Sequence, residues 1–111
     1  MPKDDLLYAG HMLDCARDAI SLLGGRTRCE FDADKALRLA LTHLLQTIGE
    51  AARRVSSEYR SQHASIPWDA IIGMRHRVVH DYMNVDEDIV WEVVTKELGS
   101  LIQQLEALSG I

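Results

Sequence analysis

Two arginines, two histidines and a tyrosine share one stretch of the chain, Arg75-His76-Arg77-Val78-Val79-His80-Asp81-Tyr82. Read as helix, at about 100° per residue, His76 and His80 fall about 40° apart on one face, and Arg75 lies about 140° from His80. A guanidinium on its long stem can still swing into the same pocket, and Tyr82 would fall about 20° from Arg75 if the helix ran that far. Imidazole exchanges protons near neutral pH, and guanidinium holds phosphate or the added charge of a pentacoordinate phosphorus. These are the parts for cleaving RNA without a metal. The ribose 2′-OH attacks its own phosphodiester, one His serves as general base or acid, and Arg stabilises the transition state.

Two plainer readings fit the same residues. A histidine near a helix C-terminus interacts favourably with the dipole, and Arg75 can pair with Glu50 or Asp81 for structural reasons alone. His76-x3-His80 also has the spacing of helical zinc ligands. Arg77 occupies the place where a metalloprotease has Glu, and the sequence offers no third ligand, so no metal site is expected.

The elements that must carry this segment are helical. Asp4 or Asp5 opens a first helix with Leu6, Leu7, Met12, Leu13, Ala16, Ile20 and Leu23 at spacings of three and four, and Gly24-Gly25 ends it. A polar loop to about Asp34 follows, containing Cys29 and anchored by Phe31. A second helix runs from about Ala33 to Glu58 with a broad apolar stripe. Gly49 in its middle costs about 1 kcal/mol relative to Ala, so with Ala51 and Ala52 beside it the spacing predicts close approach of another helix. Glu50 on that helix is costly to bury unpaired, and an arginine of the third helix is its expected partner, orienting the site.

Residues 59–65 read as a polar connection. Ile66-Pro67-Trp68 starts a third helix that ends near His80 to Tyr82, and Asn84 or Asp86 caps a fourth that runs to about Leu108. Trp68 and Trp91 are expected as core or dimer anchors, and no segment alternates convincingly with period two. The expected fold is therefore all-α, an up-and-down four-helix bundle forming one domain over residues 1–111.

Composition narrows the function. No apolar run reaches the roughly 20 residues a membrane span needs, and the N-terminus turns acidic at once, so a cytoplasmic protein without a membrane partner is expected. Cys15 and Cys29 lack CxxC spacing and read as reduced residues, with Cys29 the more reactive. The net charge of −5 argues against a general nucleic-acid binder. Between Lys35 and Arg77, however, seven basic residues face three acidic ones, an asymmetry able to steer a polyanion to one side.

Arg75-x4-His80-x-Tyr82 matches the Arg-x4-His-x-Tyr signature of HepT-like ribonuclease toxins of the HEPN superfamily. The blocks Ile48-Gly49-Glu50-Ala51-Ala52, Ile66-Pro67-Trp68, Gly73-Met74-Arg75, Val85-Asp86 and Ile89-Val90-Trp91 follow in the family's order. The chain resembles that family from Leu6 to Leu105, with His76 where Asn is commonest. The resemblance implies a HEPN-like homodimer whose two motifs line one cleft and cut RNA, not DNA, with no cofactor. Arg75 and His80 would be catalytic, and His76, Arg77 and Glu50 supporting. It also implies a toxin of the type VII toxin–antitoxin kind, whose partner is an MntA-like minimal nucleotidyltransferase antitoxin that silences it by adding AMP to Tyr82. The alternative is a non-catalytic module that binds nucleotide or the nucleotidyltransferase through the same basic cleft.

Overall fold

A computed structural model describes residues 2–81 and 84–111. Its first helix, α1 (Pro2–Leu23), stops where Gly24 and Gly25 take φ of +60° and +76°, a conformation that side chains with a Cβ rarely adopt. The loop expected after it holds a further short helix, α2 (Arg28–Ala33). Thr27 and Glu30 form a reciprocal capping box there, with Glu30 N donating to Thr27 Oγ1 (3.2 Å) and Thr27 N donating to Glu30 Oε1 (2.9 Å). Cys29 thus lies exposed on a helix rather than in a loop, and both cysteines are free. Phe31 anchors this turn as expected, fully buried with its ring 5.3 Å from that of Trp91.

Asp34 caps α3 (Lys35–Arg54), its carboxylate accepting from Leu37 N at 3.0 Å. The apolar stripe of this helix forms the middle of the core, with Leu41, Leu45 and Ile48 sealed from solvent. Each such side chain contributes roughly 1.5–3 kcal/mol by leaving water. The helix ends earlier than its pattern predicts because Val55 turns extended and Ser56 starts α4 (Ser57–Gln62). Buried Asp5 fixes that corner by accepting from Ser56 N (2.7 Å) and Ser56 Oγ (2.8 Å).

The third helical column is broken. α5 (Trp68–Ile72) ends at Gly73, and α6 (Met74–Val78) begins there. Trp68 is buried and donates from Nε1 to His63 O at 3.0 Å, which makes it a core anchor. Helix then gives way to an antiparallel pair that the sequence pattern did not predict, β1 (Val79–Asp81) and β2 (Asn84–Val85). Val79 faces Val85 and Asp81 faces Asn84, with an irregularity between the two pairs.

The last column is continuous but not uniform. Asp86 caps α7 (Glu87–Glu92), a π-helical turn spans Val93–Glu97, and α8 (Leu98–Glu106) completes it. α1 packs on α3 and α8, while α3 also carries α5, α6 and α7. The result is an all-α, four-column bundle whose buried residues form one cluster. None of its described helices is long and apolar enough to cross a membrane.

Candidate active site

Gly49 determines how the motif meets α3. A Cβ at this position would stand 2.8 Å from Ile71 O, closer than real side chains come, so the bare backbone lets the α5–α6 junction press against α3. Arg75 and His76 are thereby carried to one side of a groove of about 570 Å³. His43, Thr47, Glu50 and Arg53 of α3 line its other side, and Asp69 closes it from α5.

Within the groove Glu50 is exposed rather than buried, and its ion-pair partners differ from the expected one. Arg53 Nη2 on the same helix donates to both its oxygens at 2.7 and 2.8 Å, and Arg54 Nε stands 4.0 Å away. The Arg53 hydrogen bond, with the fields of Arg53, Arg54 and Arg75, holds the Glu50 carboxyl below its ordinary range. Arg75 therefore contributes to Glu50 through space without an ion pair. Among the described residues, Arg75 has no hydrogen-bond or salt-bridge partner in the structure. The guanidinium is exposed and available to an incoming anion.

Arg77 goes the other way. It donates to both carboxylate oxygens of Glu97 at 3.1 and 3.0 Å, an arrangement that raises its affinity for its proton. It lines a separate, more apolar groove with Val93, Lys96 and Leu98, so α6 shows Arg75 and Arg77 to different surroundings.

His80 is not on a helix face with His76. The helix ends at Val78, and Val78 O accepts from Asp86 N at 2.7 Å, which turns the chain into β1. His80 then stands on a strand, its Nε2 3.3 Å from Asp86 Oδ2. The helical angle between the two histidines consequently does not describe their placement. No group of three or more His, Cys, Asp or Glu side chains converges as a metal site among the described residues. Tyr82 lies outside the described residues.

Sequence reasoning passed over Asp86, His43 and Arg53. Asp86 was visible as a helix cap and within the Val85-Asp86 block, but not as a partner of His80, which reaches it through a fold-back that leaves no periodic trace. His43, Thr47 and Glu50 repeat at spacings of four and three on α3, a polar stripe that is legible once its apolar face is assigned.

The fold and site define a small helical-bundle protein whose groove sets Arg53 and Arg75 against Glu50 and Asp69, with the exposed His80 held by Asp86 on the strand after α6. The family model described as "Ribonuclease HepT-like" matches residues 12–108, and the chain belongs to this HepT-like family. "Putative RNase TTE0752" of Caldanaerobacter subterraneus subsp. tengcongensis is 33% identical over 101 residues, covering 91% of this chain and 90% of the relative. "Probable ribonuclease HepT" of Thermococcus cleftensis is 32% identical over 100 residues, covering 86% and 91%. "Putative RNase MJ1380" of Methanocaldococcus jannaschii is 27% identical over 104 residues, covering 94% and 95%. No solved structure matches significantly.

Proposed function

We propose that this chain is a metal-independent endoribonuclease of the toxin type that works in the cytoplasm, with Arg75 and His80 as its catalytic residues. The observations that carry the reading are an exposed Arg75 with no ion-pair partner among the described residues and, five residues on, an exposed His80 held by a carboxylate. Family membership and the ribonuclease names of its relatives support it.

The chemistry needs few parts. The ribose 2′-oxygen attacks the adjacent phosphorus as its proton is removed, and the bond to the 5′-oxygen breaks as that oxygen is protonated. The ends left are a 2′,3′-cyclic phosphate and a 5′-hydroxyl. His80 moves one of these protons, and Arg75 stabilises the charge that builds on the non-bridging oxygens. His76 supports phosphate binding from the same side of the groove, and Glu50 holds Arg53 in place beside it. Arg77 supports the site indirectly, by tying α6 to Glu97.

Two copies of the chain form the working unit in this reading. One protomer carries a net charge of −5 and a single motif, whereas two motifs side by side concentrate cations within about one Debye length of each other. The proposed antitoxin is an MntA-like nucleotidyltransferase that adds AMP to Tyr82, two residues past His80, where added negative charge and bulk oppose an RNA phosphate.

The test incubates purified chain with RNA in excess EDTA and analyses the new ends, with light scattering on the same sample. A dimer that leaves 2′,3′-cyclic phosphate ends is expected. A folded protein that binds RNA or nucleotide and leaves RNA intact would favour a binding module. Activity that EDTA abolishes and zinc restores would return His76 and His80 to the role of ligands.

A further inference from the structure

We propose that Asp86 is the positioning residue of the site: it fixes the His80 imidazole in the tautomer protonated at Nε2, which makes Nδ1 the atom that exchanges a proton with RNA. The kinetic part of this rests on the ribonuclease reading above. The orientation of the ring does not.

Asp86 divides its two carboxylate oxygens between two tasks. Oδ1 accepts from Ile89 N at 3.1 Å and caps α7, while Oδ2 lies 3.3 Å from His80 Nε2. Its backbone is tied on both sides, with its N–H donating to Val78 O (2.7 Å) and its carbonyl accepting from Val90 N (3.1 Å). The Val78 tie lies two residues before His80, so the contact that ends α6 also sets the distance between His80 and its support.

The tautomer follows from the state of the carboxylate. The Ile89 N–H, followed by His80, holds the Asp86 carboxyl below its ordinary range, so near neutral pH it is ionised and can only accept. A pure acceptor facing Nε2 requires a proton there. In the neutral ring the lone pair then belongs to Nδ1. Exposure agrees with this division of labour: the side chain of His80 is 58% accessible, that of Asp86 28%.

Neighbouring carboxylates are engaged elsewhere. Asp81 accepts from Asn84 N and Nδ2 at 3.1 and 3.0 Å, and Glu87 pairs with Arg38 at 3.0 Å.

Asp86→Asn separates the two tasks. The amide keeps Oδ1 for the cap but replaces Oδ2 with an NH2 donor, which favours a lone pair on Nε2 and a proton on Nδ1. Long-range proton–nitrogen NMR of the full chain above about pH 8, where imidazole is neutral, reads the tautomer directly, with His80 signals assigned by their loss in His80→Ala. The wild type should show Nε2–H and Asp86→Asn should show Nδ1–H, with unchanged helical circular dichroism.

On RNA, Asp86→Asn should lower kcat by up to about 10⁴-fold, the loss known when a buried carboxylate behind a catalytic histidine becomes an amide, with KM within a few-fold. Asp86→Ser, which caps α7 but leaves His80 unsupported, should also lose kcat. A wild type protonated at Nδ1, or an Asp86→Asn variant with wild-type tautomer and kcat, would overturn the proposal. The expected tautomers in a wild type that does not cut RNA would refute the ribonuclease reading and leave the ring orientation standing.

Discussion

Gly49 and Ile71 meet backbone to backbone: a Cβ on the glycine would lie 2.8 Å from the Ile71 carbonyl oxygen, and 3.3 Å from Met74 Cβ. This contact seats the α5–α6 junction on α3 and thereby places Arg75 opposite Glu50. Gly49→Ala pits two effects against each other. Helix propensity favours Ala by about 1 kcal/mol, but overpacking against a backbone carbonyl costs about 1–3 kcal/mol. The variant should melt at a lower temperature than wild type and lose RNA cleavage beyond what its stability explains. A rise in melting temperature would show that the two helices can separate freely.

Arg75, His80 and Arg77 should part company in mutagenesis. Arg75→Ala and His80→Ala should each lower cleavage by about 10²-fold or more, with helix content intact. Arg77→Ala breaks a partly exposed ion pair with Glu97 and should cost no more than about 1 kcal/mol, with cleavage reduced only a few-fold. Growth arrest on induction, scored together with RNA integrity, gives the same ranking in cells. Equal loss from Arg75 and Arg77 would place both guanidiniums on the substrate.

For Tyr82 the prediction is chemical. Incubation with an MntA-like nucleotidyltransferase, ATP and magnesium should add the mass of one or more AMP units and suppress cleavage. Tyr82→Phe retains the ring and deletes the acceptor oxygen, so it should fold, escape modification and resist enzymatic neutralisation. AMP addition to Tyr82→Phe, or none to wild type, by intact-mass measurement, would leave simple complex formation as the means of inhibition.

Acid should weaken the fold in a defined direction. Asp86, Glu50 and Glu30 have folded-state pKa values below their ordinary ones, through the Ile89 N–H, the Arg53 guanidinium and the Thr27 N–H respectively. A depressed carboxylate adds stability above its unfolded pKa and loses it as pH falls through the folded value. Denaturation midpoints should therefore be level above about pH 5 and decline below about pH 4, where carboxylates begin to protonate. Midpoints that rise on acidification would contradict the assignments.

Much of the architecture was legible because it rests on local rules. The Gly24-Gly25 stop, the Phe31 anchor, the Asp86 cap and the close approach at Gly49 each follow from one or two residue types. What was hidden depends on competition between elements. Val78 and Val79 continue the helical apolar pattern, yet a hydrogen bond from Asp86 takes Val78 O and starts a strand. The break at Gly73 and the turn at Val55 were masked by an apolar stripe that runs on through them. Within the site, the residue types of the motif were readable and their mutual placement was not. Arg77 and Glu97 found each other across two columns, and Glu50 took the nearer arginine on its own helix.

The short β1–β2 pair has a consequence for how the protein fails under stress. Its strands hold three and two residues and lie largely at the surface, whereas Arg75 rides on a helix packed directly on the core. Regions with few buried contacts open at far lower free energy than the whole molecule, so β1 belongs to the part that opens first. Each such opening withdraws His80 from Asp86 while leaving α1, α3 and the apolar cluster intact. With His80 and Asp86 in the roles proposed above, catalytic competence and global foldedness are separate thresholds. On warming, RNA cleavage should therefore fall before any loss of helix, and amide exchange at β1 should outpace exchange in α3.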